Sequence, residues 1–275
     1  MEVDILLATY NGERYLEEQL TSLKNQKGVT INLIVRDDNS SDASLSILYR
    51  FEKYFNSLLI IPSYGENIGS AFSFYELLKY SESDFVFFCD QDDKWDKYKC
   101  LKQVNALKKI NSHLIAGTFS NLKLVDGNMN DLHESLLESQ RMKPSNILKY
   151  REGIFAQNPV AGCALCINSN ARKRILDLQA IPKGIVHDHW FSCIISLYGS
   201  LHFLDEELVQ YRQHDNNQIG NKKVNFKYFA KKIKNLKKTL MHDMSLVRFA
   251  RHEKNFNIYR FLYLKLSLNI ERFFS

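Results

Sequence analysis

Short apolar runs alternate, over the first hundred positions, with segments in which apolar residues return every three or four. Val3–Ala8 reads as a strand, Asn11-Gly12 turns the chain, and Tyr15, Leu16, Leu20 and Leu23 recur at helical spacing. Ile31–Arg36 is a second strand; Ser40, Ser41 and Asp42 are N-cap types, and Leu45, Leu48, Tyr49 and Phe55 mark a helix after them. Leu58–Ile61 is a third strand ended by Pro62, and Asn67-Ile-Gly69 opens a helix to about Tyr80. Phe85–Cys89 is a fourth strand, followed by a helix from roughly Lys97 to Ile110. Strict alternation of this kind predicts right-handed βαβ units, an α/β class and a mostly parallel sheet flanked by helices. Ile31–Val35 and Phe85–Cys89 are near-continuous apolar runs, as strands covered on both faces should be.

The pattern then loosens. Ala116–Val125 reads as strand, Asp126-Gly127 as a turn, and the polar stretch Asn128–Lys143 as a mobile loop. Pro159–Ile167 is strand-like, Asn168–Leu178 helical, and Asp188–Tyr198 apolar on nearly all sides, hence a buried helix. Leu201–Leu204 and Leu208–Arg212 are short strands. Beyond Gly220, Phe226, Phe229, Ile233 and Leu236 fall at helical spacing with Lys between them. Phe256–Phe274 is rich in Phe, Leu, Ile and Tyr.

Charge divides the chain at the same place. Asn221–Ser275 holds fourteen Lys/Arg against three Asp/Glu, a balance of +11, which leaves Met1–Gly220 at −5. A boundary near Gly220 follows, separating a body (1–220) from a basic amphipathic helical extension (221–275). The body divides again into a half at about 1–112 and a half at about 113–220. Ile5–Ala8 is too short for a signal peptide and lacks a basic flank. No window of about 18 apolar residues predicts a membrane span. The expected location is the cytoplasm. Five cysteines spread through apolar segments fit reduced, buried thiols, and Cys163-Ala-Leu-Cys166 has no second pair to complete a metal or redox site.

The chemistry gathers where strands end. Thr9-Tyr10-Asn11, Arg36-Asp37-Asp38-Asn39 and Asp90-Gln91-Asp92-Asp93 each follow a strand. Open parallel sheets bind ligands outside their carboxyl ends. In an extended chain Asp90 and Asp92 share a face, which makes a seat for a hard divalent cation. No glycine loop of the G-x-G-x-x-G or G-x-x-x-x-G-K-[ST] type is present, so phosphate must be held by a metal or by cationic side chains.

Six segments in order resemble family 2 glycosyltransferases of the GT-A fold, most of all bacterial rhamnosyltransferase-like members that build surface polysaccharide. They are Leu6–Gly12, Arg36–Asp42, Glu66–Gly69, Cys89–Trp95, His187–Trp190 and Tyr211–Asn217, and they span about Met1–Gly220. The resemblance implies the Rossmann-like GT-A (nucleotide-diphospho-sugar transferase) fold, with 1–112 as the nucleotide-sugar half and 113–220 as the acceptor half. It implies that Thr9 borders the nucleotide, that Asp38 accepts from a pyrimidine N3–H, and that Asp90 lies beside the ribose. It also implies that Asp92 binds Mn2+ or Mg2+, that Asp188 is the general base, and that His214 approaches the metal and diphosphate. Tyr10, Asn11, Asn67 and Gln91 join the nucleotide-sugar set; Trp95, Gly162, His189 and Trp190 join the acceptor side.

Each role has a plainer counterpart. Asp38 can cap the helix that follows it, Asp93 reads as a helix-capping or solvated acid, Asp188 as an N-cap, and His214 as a structural histidine. His187 and His189 share a face if their segment is extended. The implied reaction is direct, inverting transfer of a sugar, rhamnose among the options, from a UDP- or dTDP-sugar to a glycan or lipid-linked acceptor. A sugar-phosphate nucleotidyltransferase is a second reading, although Ala8–Gly12 is a poor match for its Gly-rich basic loop. A non-catalytic membrane or nucleic-acid adaptor is a third. The basic extension lacks a nucleic-acid motif; Lys with interleaved Phe and Leu suits the inner face of the plasma membrane, as a peripheral protein. A homodimer is one option for the oligomeric state.

Overall fold

The computed structural model describes residues 1–178, 181–214, 236–252 and 256–274, with the backbone alone at 236–240. The first half is β1 (Glu2–Thr9), α1 (Glu13–Lys24), β2 (Thr30–Asp37), α2 (Ser44–Phe51), β3 (Ser57–Ile61), α3 (Ser70–Leu78), β4 (Phe85–Cys89), β5 (Lys94–Trp95) and α4 (Lys99–Lys108). Then come β6 (Ala116–Val125), β7 (Asp131–Ser135), α5 (Leu136–Ser139), α6 (Pro144–Ile147), α7 (Glu152–Ala156), β8 (Leu165–Asn168), α8 (Ser169–Asp177), α9 (His187–Tyr198) and β9 (Ser200–Arg212). Two further helices are α10 (Leu236–Arg251) and α11 (Ile258–Phe274).

The strands form one sheet in the order β3-β2-β1-β4-β8-β6-β9-β5, with β7 paired to β6. β1, β2, β3 and β4 are mutually parallel, and β6 and β9 run the same way because β8 is antiparallel to both β4 and β6. The carboxyl ends of β1, β2, β4, β6 and β9 therefore meet on one rim. Val3, Ile5, Leu6 and Leu7 of β1 and Val86–Cys89 of β4 are fully buried, as their unbroken apolar runs require. All five cysteines are free and buried.

Four elements differ from the sequence expectation. Asn128–Lys143 is not a loop: it holds β7 and α5, the latter opened by a capping box in which Ser135 Oγ accepts from Glu138 N and Glu138 Oε2 accepts from Ser135 N. The signal was the Ser-x-x-Glu spacing. Pro159–Ile167 is not one strand; a single 3-10 turn at Gly162–Ala164 precedes the short β8. Leu201–Leu204 and Leu208–Arg212 are one strand, β9, with its irregularity against β6 between Leu204 and Val209. β5 is two residues long and pairs with Val209 and Gln210. The helical spacing at Phe226, Phe229 and Ile233, and the motif residues Asp215–Asn217, lie outside the described residues.

Candidate active site

A cavity of 610 Å³ opens on the rim where these strands end. Thr9, Tyr10, Asn11, Asp38, Asn67, Asp90, Gln91, Asp92, Gly162, Asp188 and His214 all line it. Strand register explains the first cluster. Thr9 pairs with Asp37, and Asp38 N donates to Thr9 O at 2.8 Å, so the ends of β1 and β2 lie side by side. β4 ends at Cys89, the partner of Leu7, so Gln91, two residues on, comes level with Thr9 of β1. Gln91 Oε1 accepts from Thr9 Oγ1 (2.7 Å) and Tyr10 N (2.8 Å), while its Nε2 donates to Tyr10 O (3.2 Å). Asn11 sits at φ +47 and its side chain accepts from Ser41 N at 2.9 Å.

Asp38 does not cap the helix that follows it; it fastens the loop that leads into α3. Its two oxygens accept from Ile68 N (3.0 Å) and Gly69 N (2.7 Å) at the start of α3, and Arg36 Nη2 is 3.2 Å from Oδ1. Arg36 also donates to Pro62 O and Glu66 O, so this pair fastens the loop that carries Asn67. The carboxylate still lines the cavity, and these contacts leave one lone pair of Oδ2 for a ligand donor.

His214 Nε2 is 2.9 Å from Asp92 Oδ2, across a separation of 122 residues. Tyr15 and Arg212, which the sequence reading did not single out, hold that meeting in place. The Arg212 guanidinium lies over the Tyr15 ring at 4.4 Å, and Tyr15 in turn faces His214 at 4.8 Å. Arg212 donates to Asp92 O (2.8 Å), Gly127 O (3.0 Å) and Glu18 Oε2. Asp90 is pushed up to about 7, first by burial and then by the charges of Asp92 and Asp188. Asp93 is neither solvated nor a cap: it is fully buried, and its Oδ1 accepts from Arg212 N at 3.2 Å. Asp90, Asp93 and Cys163 have potential ligand atoms within 4.8 Å of one another. A thiol is a soft ligand, however, poorly matched to Mg2+ or Mn2+, whereas Asp92 with His214 offers harder donors on the cavity wall.

Asp188 faces the same cavity from α9. Val186 is the N-cap of that helix, so Asp188 is not. Asn158 Nδ2 donates to its Oδ1 at 3.2 Å, and backbone N–H groups of His189 and Gly162 also reach the carboxylate. Burial outweighs these bonds and raises Asp188 to about 7. Gly162 is required here, since a Cβ would stand 2.5 Å from His187 Nε2. Burial among Phe74, Phe88 and Phe191 lowers His187 to about 3, so it is neutral.

Three residues of the expected acceptor side do not line the cavity. Trp95 is buried in the core with Lys99 Nζ 3.7 Å over its ring. His189 donates to Ile154 O at 2.9 Å and stacks on His242, and Trp190 packs on Phe249 of α10 at 4.6 Å. The segment is helical, not extended, so each step turns the side chain by about 100°: His187 and Asp188 line the cavity, while His189 and Trp190 turn away from it. Asn158, Tyr15, Tyr211, Ser70 and Gln140 line the cavity without having been anticipated.

A model of the family described as Glycosyl transferase family 2 matches residues 4–177. A dTDP-rhamnosyl transferase of Shigella flexneri, RfbG, is 29% identical over 224 residues, which cover 78% of this chain and 73% of RfbG. Among solved structures, S. aureus TarS 1–349 in complex with UDP-GlcNAc superposes with a TM-score of 0.69 at 20% identity, covering 98% of this chain and 72% of that one. The mannosyltransferase PcManGT from Pyrobaculum calidifontis, in complex with GDP-Man and Mn2+, gives 0.63 at 16% identity, over 98% and 70%. These likenesses show the GT-A fold.

Proposed function

The chain belongs to glycosyl transferase family 2, and from that premise we propose an inverting, metal-dependent transferase that moves a sugar, rhamnose first among the candidates, from a UDP- or dTDP-sugar to a glycan or lipid-linked acceptor. Bacterial surface polysaccharide is the product class favoured by the likeness to RfbG. The carrying observation is that one cavity has Asp38 and Asn67 among its lining residues, together with Asp90 and Asp92, and also Asp188, a buried carboxylate raised to about 7.

In this reading Asp38 accepts from the pyrimidine N3–H, Thr9, Tyr10, Asn11 and Gln91 border the nucleotide, and Asp90 takes the ribose side. Asp92 and His214 would hold Mn2+ or Mg2+, and such an ion supplies Lewis-acid stabilisation of the charge gathering on the departing diphosphate. Asp188 takes the proton of the attacking acceptor hydroxyl at its carboxylate oxygen. A base raised to about 7 is matched to neutral conditions. Gly162 supports it from the acceptor side. A single base and direct displacement give inversion at the anomeric carbon. The basic extension is proposed to meet the anionic inner membrane face, which places the protein at the periphery of that membrane. The family match leaves the nucleotidyltransferase and adaptor readings without support.

Titration of the protein with UDP and dTDP, with and without Mn2+, tests the donor side. The expected result is metal-enhanced binding that Asp92→Ala removes; binding indifferent to both metal and substitution would dismiss the site. Asp188→Asn is expected to keep donor affinity while transfer falls by about 10²–10⁴-fold.

A further inference from the structure

We propose that the outer face of α11 is a seat for an anionic lipid surface, and that it brings the Gln140 side of the cavity to that surface. The proposal deepens the membrane reading above and rests on it for the identity of the acceptor, though not for the binding itself.

Tyr259, Leu262, Tyr263, Leu266 and Ile270 are all exposed, Tyr259 at 81% and Leu266 at 64%. At about 100° per residue they fall within an arc of roughly 100°, and no charged side chain interrupts it. Scattered exposed apolar residues need no account, but a continuous stripe along a helix does. The opposite face is committed to the body. Phe261, Leu264 and Leu268 are buried, and Arg272 Nε donates to Gln140 O at 2.8 Å. Lys143 Nζ and Asn146 Nδ2 hold Glu271 from α6 and its approach, while Asn257 N donates to the buried Glu152 at 2.9 Å. The stripe is therefore a rigid outward surface on a docked helix.

Charge selects the occupant. The stripe belongs to the segment from Asn221 onward, which carries +11. Two copies meeting through this face would bring two such segments together, whereas an anionic bilayer attracts one. No helix among the described residues is long and apolar enough to cross a membrane, so α11 would lie in the interface with its Tyr rings at headgroup level. Because Arg272 is bonded to Gln140, and Gln140 lines the cavity, the seat and the cleft are joined by one hydrogen-bonded step. A hydroxyl or phosphate presented by a lipid carrier would then enter from that side.

The test is flotation of the full chain with phosphatidylglycerol-containing vesicles and with pure phosphatidylcholine vesicles. Leu262→Gln, Leu266→Gln and Ile270→Gln are combined in one variant that preserves charge and alters only exposed positions. Wild type should float with the anionic vesicles, and the variant should lose roughly tenfold or more in association constant, with its melting temperature and UDP affinity unchanged. Equal flotation of the variant would assign binding to the cations alone and overturn the proposal, as would wild type that floats with neither vesicle. Light scattering that shows a wild-type dimer, dissolved by the same substitutions, would give the stripe to a second copy instead. UDP titration of the same samples reports on the transferase reading separately, so loss of one does not imply loss of the other.

Discussion

Asp188 combines two opposing influences. Burial raises it to about 7, and hydrogen bonds from His189 N, Gly162 N and Asn158 Nδ2 pull it down. A base must be ionised to act, so transfer is expected to rise with pH through about 7 with the slope of one proton. Asn158→Leu removes a donor that favours the charged form, and the acid limb should then move upward by about one pH unit. A pH–rate profile of kcat/KM checks this; an unmoved limb would mean that another group governs it. Asp188 was legible in the sequence because its motif is. Asn158 was not, because the contact spans thirty residues and depends on the 3-10 turn at Gly162–Ala164, where a strand was expected. The same limit hid Tyr15 and Arg212. Arg212 lies within the Tyr211–Asn217 segment, but nothing in sequence brings it to Tyr15, and the value of both lies in meeting His214 and Asp92 across the rim.

At the scale of elements, the parallel half could be read almost residue by residue. Strands of five to eight residues with both faces covered leave uninterrupted apolar runs, and the helices between them show one apolar stripe. The mixed half resisted for physical reasons. β5 is two residues long, and β7 has Leu132 as its one large apolar residue, half-exposed, so neither generates a periodic signal. Fine placement at the rim rests on one small residue. A Cβ on Gly12 would stand 2.4 Å from Gln91 Oε1 and 2.8 Å from Thr9 Oγ1. Gly12→Ala should therefore expel the Gln91 side chain from its bonds to Thr9 and Tyr10 while β1 and α1 persist. The expected outcome is a stability loss of about 1–2 kcal/mol by chemical denaturation, accompanied by a drop in nucleotide affinity by calorimetry. A variant that keeps wild-type affinity would show that the Gln91 clip does not shape the donor site.

For the whole molecule, α9 is the member that joins the cavity to the C-terminal helices. Asp188 looks into the cleft, while one and two residues on His189 and Trp190 look away, onto His242 and Phe249 of α10. The charge boundary near Gly220 marks a change of composition, yet α10 and α11 are packed on the body through apolar contact. Phe256 meets Phe155 of α7 at 5.0 Å and Phe261 at 6.0 Å, and Leu246 and Ala250 of α10 are fully buried. Sequence composition could not reveal this, because an amphipathic basic helix looks the same whether its apolar face meets protein or lipid; α11 has one apolar face buried on the body and an exposed apolar stripe. The packing can be weighed against independence by Phe261→Ala. Truncating a buried Phe costs about 3–5 kcal/mol, a large share of the roughly 5–15 kcal/mol that holds a domain folded. If the extension and body share one core, the whole chain should melt in a single transition at a markedly lower temperature, and near-UV signals from Trp190 should be lost in step with the helices. A body that keeps its wild-type melting temperature while the extension alone unfolds would separate the two, and would also free Asp188 from dependence on the helices behind it.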